Sequence, residues 1–204
     1  MKRGALYSFG WYLLYPIFKL LFFFKVNGRE NIPENGGFIL CSNHLSNFDP
    51  VLLALSQKRQ IFYMAKAELF KNKFFGALIR KLGAFPVERG AGDGKAIEMA
   101  ESIIKDEKML GIFIEGTRSK TGEFLRPKSG AAIIAHQMKA TVIPICITPK
   151  NKKIKVFQRV KIRFGKPLTP EELGLNGEAG PEVYRTAARR IMSEIQSLRE
   201  IDLK

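Results

Sequence analysis

Two polar residues with complementary chemistry, His44 and Asp49, lie five positions apart, soon after the apolar run 37–41. A neutral imidazole can accept a proton from a hydroxyl group near neutral pH. A carboxylate bonded to the other ring nitrogen fixes the tautomer and stabilises the imidazolium that forms. The pair therefore suggests general-base activation of a hydroxyl that the substrate itself carries. The alternative is a turn histidine beside a helix-capping aspartate, with no chemistry.

The elements around this pair must position it. Run 37–41 indicates a buried strand, and Asp49 followed by Pro50 predicts a helix over 51–55 with Asp49 as its N-cap. His44 then lies at the carboxyl end of a strand, where the active groups of open α/β sheets gather. Residues five apart do not share a helical face, so the two side chains can meet only across a loop.

Further apolar runs predict an α/β domain in which strands alternate with helices. A second strand–turn unit covers 112–119, where an apolar strand leads into the polar letters EGTRS. Alternation predicts that 154–157 and 160–164 are paired strands. The other predicted strands are 61–66 and 141–148, and the other predicted helices are 69–82, 96–108, 129–138 and 181–198.

The composition fits one domain of 204 residues with a net charge of +15. Such a charge favours solubility or attraction to an anionic surface, either nucleic acid or membrane. Cys41 and Cys146 lie in apolar runs, which favours packing as small hydrophobes, without a disulfide, in a reducing compartment. The glycine-rich segment 90–95 matches neither the phosphate-loop nor the dinucleotide-binding pattern. No metal-ligand spacing is present, so we expect no metal and no cofactor.

Residues 5–24 are apolar, rich in aromatic residues and carry a single charge, at Lys19. The segment has the ~20 residues that a membrane-spanning helix needs, but Gly10, Pro16 and Lys19 interrupt it. Trp and Tyr prefer the membrane interface, so a bent or two-part helix lying in the headgroup region is favoured. A spanning helix and an internal core helix are the alternatives. The turn-rich stretch 26–33 predicts a docking segment over 1–26 and a catalytic domain over 27–204.

Four blocks of the sequence resemble those of the glycerolipid acyltransferase family. Its best-known members are the bacterial 1-acylglycerol-3-phosphate (lysophosphatidate) acyltransferases of the PlsC type. Two of the blocks are the NHxxxxD pattern at 43–49 and F-x-EGTRS at 113–119. Segments 83–89 and 142–145 are similar to the family's second and fourth blocks, and all four occur in family order.

The resemblance implies one domain with a mixed, mostly parallel sheet flanked by helices and preceded by N-terminal membrane-docking helices. It implies transfer of a fatty acyl group to the sn-2 hydroxyl of lysophosphatidic acid, giving phosphatidic acid without a covalent acyl-enzyme. The donor would be acyl-CoA or acyl carrier protein. The site of action would be the cytoplasmic face of the cell membrane, at an anionic membrane surface.

The resemblance also implies roles for individual residues. His44 matches the general base and Asp49 the acid that orients it. Arg89 matches the position that binds the substrate phosphate, Arg118 is a second candidate, and Lys128 lies in a loop that could close over the site.

The remaining candidates for substrate binding lie in the EGTRS block. Glu115 would tie down a neighbouring arginine or bind the glycerol, and Gly116 would let the backbone approach closely. Thr117 is expected to contact substrate with them.

Other functions remain open at this stage. Within the family, the acceptor could be glycerol 3-phosphate or another lysolipid. A basic nucleic-acid-binding module would also explain the charge, but the aromatic residues concentrate at the N-terminus and do not alternate with basic ones. We therefore expect no nucleic-acid partner. A serine hydrolase would need a G-x-S-x-G motif, which the sequence lacks.

Overall fold

The computed structural model describes residues 4–87 and 94–204, which form six α-helices and seven β-strands. In chain order the elements are α1 (Ala5–Phe22), β1 (Lys25–Asn27), β2 (Phe38–Ser42), α2 (Asp49–Ser56), β3 (Ile61–Lys66), α3 (Lys73–Lys81), β4 (Ala84–Val87), α4 (Gly94–Lys105), β5 (Met109–Phe113), α5 (Gly130–Gln137), β6 (Val142–Pro149), β7 (Val160–Phe164) and α6 (Pro181–Leu203). Single turns of 3₁₀-helix cover Arg29–Asn31 and Ala67–Phe70.

The strands form one sheet in the order β1-β7-β6-β2-β5-β3-β4. Strands β2 to β6 run parallel, whereas β7 is antiparallel to β6 and β1 runs parallel to β7. The mixed, mostly parallel sheet confirms the predicted fold class. Because β2 and β5 are adjacent and parallel, the residues that follow them emerge together at one edge of the sheet.

Two hydrophobic clusters cover the two faces of the sheet. Alternate residues of one strand point to opposite faces, so Phe38 and Leu40 pack with α1 and α2, whereas Ile39 and Cys41 pack with α4, α5 and α6. Both cysteines are buried free thiols, as their apolar surroundings predict. Burial in these surroundings raises the pKa of the Cys146 thiol, so the group is inert.

Helix α1 is one continuous α-helix, which excludes the two-part form of the expected bent or two-part helix, and the bent form stays a prediction. Proline at position 16 lies inside it. Tyr7 near its beginning and Phe18 and Phe22 near its end are buried, while Phe9 and Tyr12 are 65% and 72% exposed. One side of the helix therefore lies along the domain over its whole length, and the other side presents apolar groups to the surroundings.

Three other predictions about the elements need correction. Residues 154–157 do not form a strand, and β7 pairs with β6 instead. The stretch 26–33, predicted to be only a connector, contributes β1 at the edge of the sheet. The helix predicted over 69–82 is a 3₁₀ turn followed by α3, and its apolar side chains are largely exposed.

Candidate active site

The imidazole of His44 and the carboxylate of Asp49 meet at the carboxyl edge of the sheet. Nδ1 of His44 lies 2.7 Å from Oδ2 of Asp49, whose side chain is fully buried. The same oxygen accepts hydrogen bonds from the backbone N–H groups of Leu45 at 2.6 Å and Ser46 at 2.8 Å. Because Nδ1 faces the carboxylate, Nε2 is the nitrogen left to take a proton from a substrate.

The turn between the two residues explains how they meet. Helix α2 begins at Asp49, and Phe48 occupies the N-cap position without a side-chain capping bond. The prediction that Asp49 is the N-cap was therefore wrong by one residue. The carboxylate turns back over the preceding loop, where it satisfies two backbone N–H groups and holds the histidine ring.

Aromatic side chains fix the plane of the imidazole. The ring of Phe113, the last residue of β5, stacks on His44 with 4.0 Å between centroids and 16° between planes. Tyr63 of β3 lies nearly parallel to Phe113, with centroids 6.1 Å apart. Its hydroxyl donates to the carbonyl of Pro50, the second residue of α2. The ring is thus held between neighbouring strands and the start of the helix that carries its carboxylate.

Glu115 joins the two loops that follow β2 and β5. Its Oε1 accepts from the backbone N–H of His44 at 3.1 Å, and its Oε2 accepts from the N–H of Leu125 at 3.0 Å. The backbone N–H of Ser119 in turn donates to the carbonyl of His44 at 2.8 Å. Burial raises the pKa of Glu115, and the two backbone hydrogen bonds oppose that rise by favouring the carboxylate. Both oxygens are thus engaged by the protein backbone.

Asn43, buried beside the histidine, ties this loop to the sheet. Its amide nitrogen donates to the carbonyl of Ile147, and its amide oxygen accepts from the N–H of the same residue. The side chain thereby makes the hydrogen bonds to β6 that the backbone of β2, which ends at Ser42, does not supply. The only sequence signal for this role was an amide side chain directly after a buried strand.

Two of the cationic candidates, Arg118 and Lys128, lie on exposed loops. Arg118 is exposed and immediately precedes Ser119, whose N–H bonds His44. Lys128 is also exposed, and its backbone N–H donates to the carbonyl of Ile114 at 2.8 Å. This bond brings the stem of Lys128 beside Gly116, where a Cβ would lie 3.4 Å from Cγ of the lysine.

Two further candidates, Gly116 and Thr117, lie in the block that follows β5. Gly116 adopts φ +67°, a left-handed conformation that favours glycine, and Thr117 beside it is exposed. Arg89 lies outside the described residues.

Arg199 of α6 is a supporting residue that the sequence did not indicate. Its guanidinium lies 3.7 Å from the centroid of the Phe124 ring and donates to the carbonyl of Gly122 at 2.9 Å. The C-terminal helix therefore holds the loop that leads from Arg118 to Lys128. Within residues 4–87 and 94–204, no three His, Cys, Asp or Glu side chains group together as a metal site would require.

Residues 23–148 match the Acyltransferase family. The chain is 35% identical over 147 residues to a 1-acyl-sn-glycerol-3-phosphate acyltransferase of Bacillus subtilis, covering 71% of this chain and 73% of that protein. It is 33% identical over 192 residues to the enzyme of the same name from Streptococcus pneumoniae, covering 89% and 70% of the two chains. The fold is similar to the crystal structure of the 1-acyl-sn-glycerophosphate (LPA) acyltransferase PlsC from Thermotoga maritima. That comparison has a TM-score of 0.72 and 23% sequence identity, and covers 98% of this chain and 79% of that one.

Proposed function

Because the chain belongs to the acyltransferase family, we propose that it transfers a fatty acyl group from a thioester to the sn-2 hydroxyl of 1-acylglycerol 3-phosphate. The products are phosphatidic acid and a free thiol. The observation that carries the proposal is the hydrogen-bonded pair of His44 and Asp49, held at the carboxyl edge of the sheet. The relatives from Bacillus and Streptococcus, named as acyltransferases for this acceptor, support the choice of substrate.

In the proposed reaction, Nε2 of His44 takes the proton of the acceptor hydroxyl as the oxygen attacks the thioester carbonyl. The imidazolium is stabilised by Asp49, which keeps Nδ1–H directed at its own carboxylate. When the tetrahedral intermediate collapses, the carbon–sulfur bond breaks and His44 returns its proton to the departing thiolate. General-base assistance of this kind contributes roughly 10²- to 10⁴-fold in rate. The acceptor supplies the nucleophile, so no acyl-enzyme forms.

The phosphate of the acceptor is proposed to bind the guanidinium groups of Arg89 and, as the second candidate, Arg118, with Lys128 closing from the neighbouring loop. Arginine can bind phosphate oxygens through two parallel hydrogen bonds, and lysine adds a point charge. Gly116 and Thr117, which directly precede Arg118 in the chain, would contact the glycerol. Glu115 would support the site by holding the backbone around it, since its oxygens already accept hydrogen bonds from the N–H groups of His44 and Leu125.

The proposed membrane-docking segment is residues 1–26, and the proposed catalytic domain is 27–204. Helix α1 is, among the described residues, the one helix long and apolar enough to cross a bilayer. However, Tyr7, Phe18 and Phe22 at its two ends pack on the domain. A helix held along a folded domain in this way suits an interfacial position at the cytoplasmic face, with exposed groups such as Phe9 and Tyr12 in the lipid.

The test is an acyl-transfer assay with lysophosphatidate and either acyl-CoA or acyl carrier protein as donor, followed by chromatographic identification of the lipid product. We expect phosphatidate from the wild type and none from His44→Ala, whose fold is checked by circular dichroism. A panel containing glycerol 3-phosphate and other lysolipids tests the acceptor. Retained turnover in His44→Ala would show that His44 is not the general base. A higher rate with another acceptor would show that lysophosphatidate is not the preferred substrate.

A further inference from the structure

Helix α3 and the turn before it expose an unusual amount of apolar surface. Phe74 is 91% exposed, and Leu69, Phe75 and Leu78 are each exposed by nearly half. Gly76 is the one buried residue of the helix, where its backbone approaches that of Phe70. The helix thus contacts the protein through its smallest residue and directs its aromatic side chains away from the core. Contiguous exposed apolar surface of this kind marks a site of interaction.

The charges around this surface identify what it binds. Segment 66–81 carries five basic residues and one acid, Glu68, which is paired with Lys66 at 2.9 Å. Lys71 and Lys73 lie between Leu69 and Phe74, and Arg80 and Lys81 follow Leu78. A second copy of the chain would oppose this positive surface with the same charge. An anionic bilayer instead offers phosphates to the basic groups and hydrocarbon to the phenyl rings.

The surface lies next to the candidate active site. Strands β2, β5 and β3 run parallel, so Lys66 at the end of β3 lies at the same sheet edge as Ser42 and Phe113. The 3₁₀ turn Ala67–Phe70 follows directly, and α3 returns from it toward the start of β4. A bilayer held at this turn would present its lipids beside the loop that carries His44.

We propose that segment 66–81, here called the α3 patch, is a second membrane-docking surface that binds anionic phospholipid bilayers alongside α1. Its role in delivering the lipid acceptor rests on the proposed function, whereas the docking itself does not.

The test is flotation of the full chain with vesicles of phosphatidylglycerol and phosphatidylcholine. Replacing Phe74 and Leu78 together by Ser should lower the partition coefficient about a hundredfold, because each apolar side chain that leaves the bilayer for water lowers it about tenfold. Replacing Lys73 and Lys81 by Glu should lower it about fivefold or more per charge on anionic vesicles, and much less on pure phosphatidylcholine.

A matched control is available on α4, which packs in the hydrophobic cluster with α5 and α6. Met99 is 48% exposed and Lys105 is exposed on the same helix. Met99→Ser combined with Lys105→Glu removes a similar apolar group and reverses one charge outside the patch. This variant should float like the wild type. An equal loss in the control would show that net charge alone drives binding, and would overturn the proposal.

A direct reporter keeps the proposal falsifiable if the serine variants fold poorly. The chain has one tryptophan, Trp11, so Phe74→Trp in a Trp11→Phe background places a single indole on the patch. We expect its fluorescence to be quenched by brominated lipids. An unquenched indole on vesicle-bound protein would mean that the patch faces water and that α1 docks alone. Neither measurement uses a thioester or an acceptor, so the docking result stands apart from any failure of the acyltransferase assay.

Discussion

The replacement Asp49→Asn separates the charge of the carboxylate from its geometry. Oδ2 of Asp49 accepts from two backbone N–H groups as well as from His44. Those N–H groups will hold the amide oxygen of asparagine in the same place, since an NH₂ group there would meet two donors. The imidazole then keeps its hydrogen bond and its tautomer, and loses only the negative charge beside it.

The expected loss of kcat follows from the distance between the imidazole and the carboxylate. Nδ1 and Oδ2 are 2.7 Å apart, which puts the centres of the two charges about 4 Å apart. At an effective dielectric constant of about 20, such a pair is worth about 4 kcal/mol when both charges are complete. The imidazolium is only partly formed in the transition state. We therefore expect kcat to fall about 30- to 1,000-fold.

The assay is steady-state acyl transfer at saturating lysophosphatidate, with the KM of each substrate measured in parallel. Asp106→Asn is the matched control, because Asp106 is exposed and pairs only with the nearby Lys108 among the described residues. A kcat within threefold of wild type would refute the role of the charge. A loss of 10⁴-fold or more with the fold intact would mean that the imidazole has taken the wrong tautomer, as in triads whose orienting aspartate is replaced by asparagine.

Three further perturbations test the supporting residues. Asn43→Ala leaves both backbone groups of buried Ile147 without their side-chain partner, so thermal unfolding should show a loss of about 2 kcal/mol or more; an unchanged Tm would contradict this. The raised pKa of Glu115 means that the folded protein holds its proton more tightly than the unfolded chain does. Wild type should therefore gain stability relative to Glu115→Gln as the pH falls from neutral through that pKa toward the ordinary value, and parallel Tm curves would exclude this. Arg118→Ala should raise the KM for lysophosphatidate about 10- to 100-fold, while Lys120→Ala on the same turn should not; a change confined to the KM of the thioester would place the phosphate elsewhere.

The chemistry-bearing positions could be predicted because strands end where polar residues begin. Apolar runs located β2, β3, β5 and β6, and the polar residues after β2 and β5 then had to share one edge of a parallel sheet. Residues five apart do not share a helical face, so the sequence predicted that His44 and Asp49 could pair only across a loop. These are local signals, since each depends on a few consecutive residues and on the direction of a strand.

The elements that could not be predicted owe their structure to distant contacts. Strand β1 has three residues, and its place depends on pairing with β7, more than 130 positions later in the chain. Alternation in 154–157 suggested a strand, but β6 supplies the partner for β7. For α3, periodicity indicated the helix and gave no information about what surrounds its apolar face. A repeat of apolar residues shows that they share a face, and does not show whether protein or lipid lies opposite.

The loop that carries His44 is also held mainly by residues far from it in the sequence. Asn43 reaches Ile147, Glu115 reaches Leu125 and the backbone of His44, and Arg199 reaches Gly122. No spacing pattern signals such bonds, because each is made by a buried polar group that satisfies whichever backbone atom the fold leaves exposed beside it.

Helix α1 contacts the loop that carries His44 and Asp49, so deleting the helix would also disturb that loop. Phe48, the residue before Asp49, packs against Phe18 and Phe22 of α1, with ring centroids 6.1 and 5.1 Å away. Phe24 just after the helix is fully buried. Removing residues 1–24 would therefore expose the core and release the turn that orients Asp49. Point substitutions on the exposed side of α1 and on the α3 patch can weaken docking without this loss, because those side chains are exposed and not part of the core.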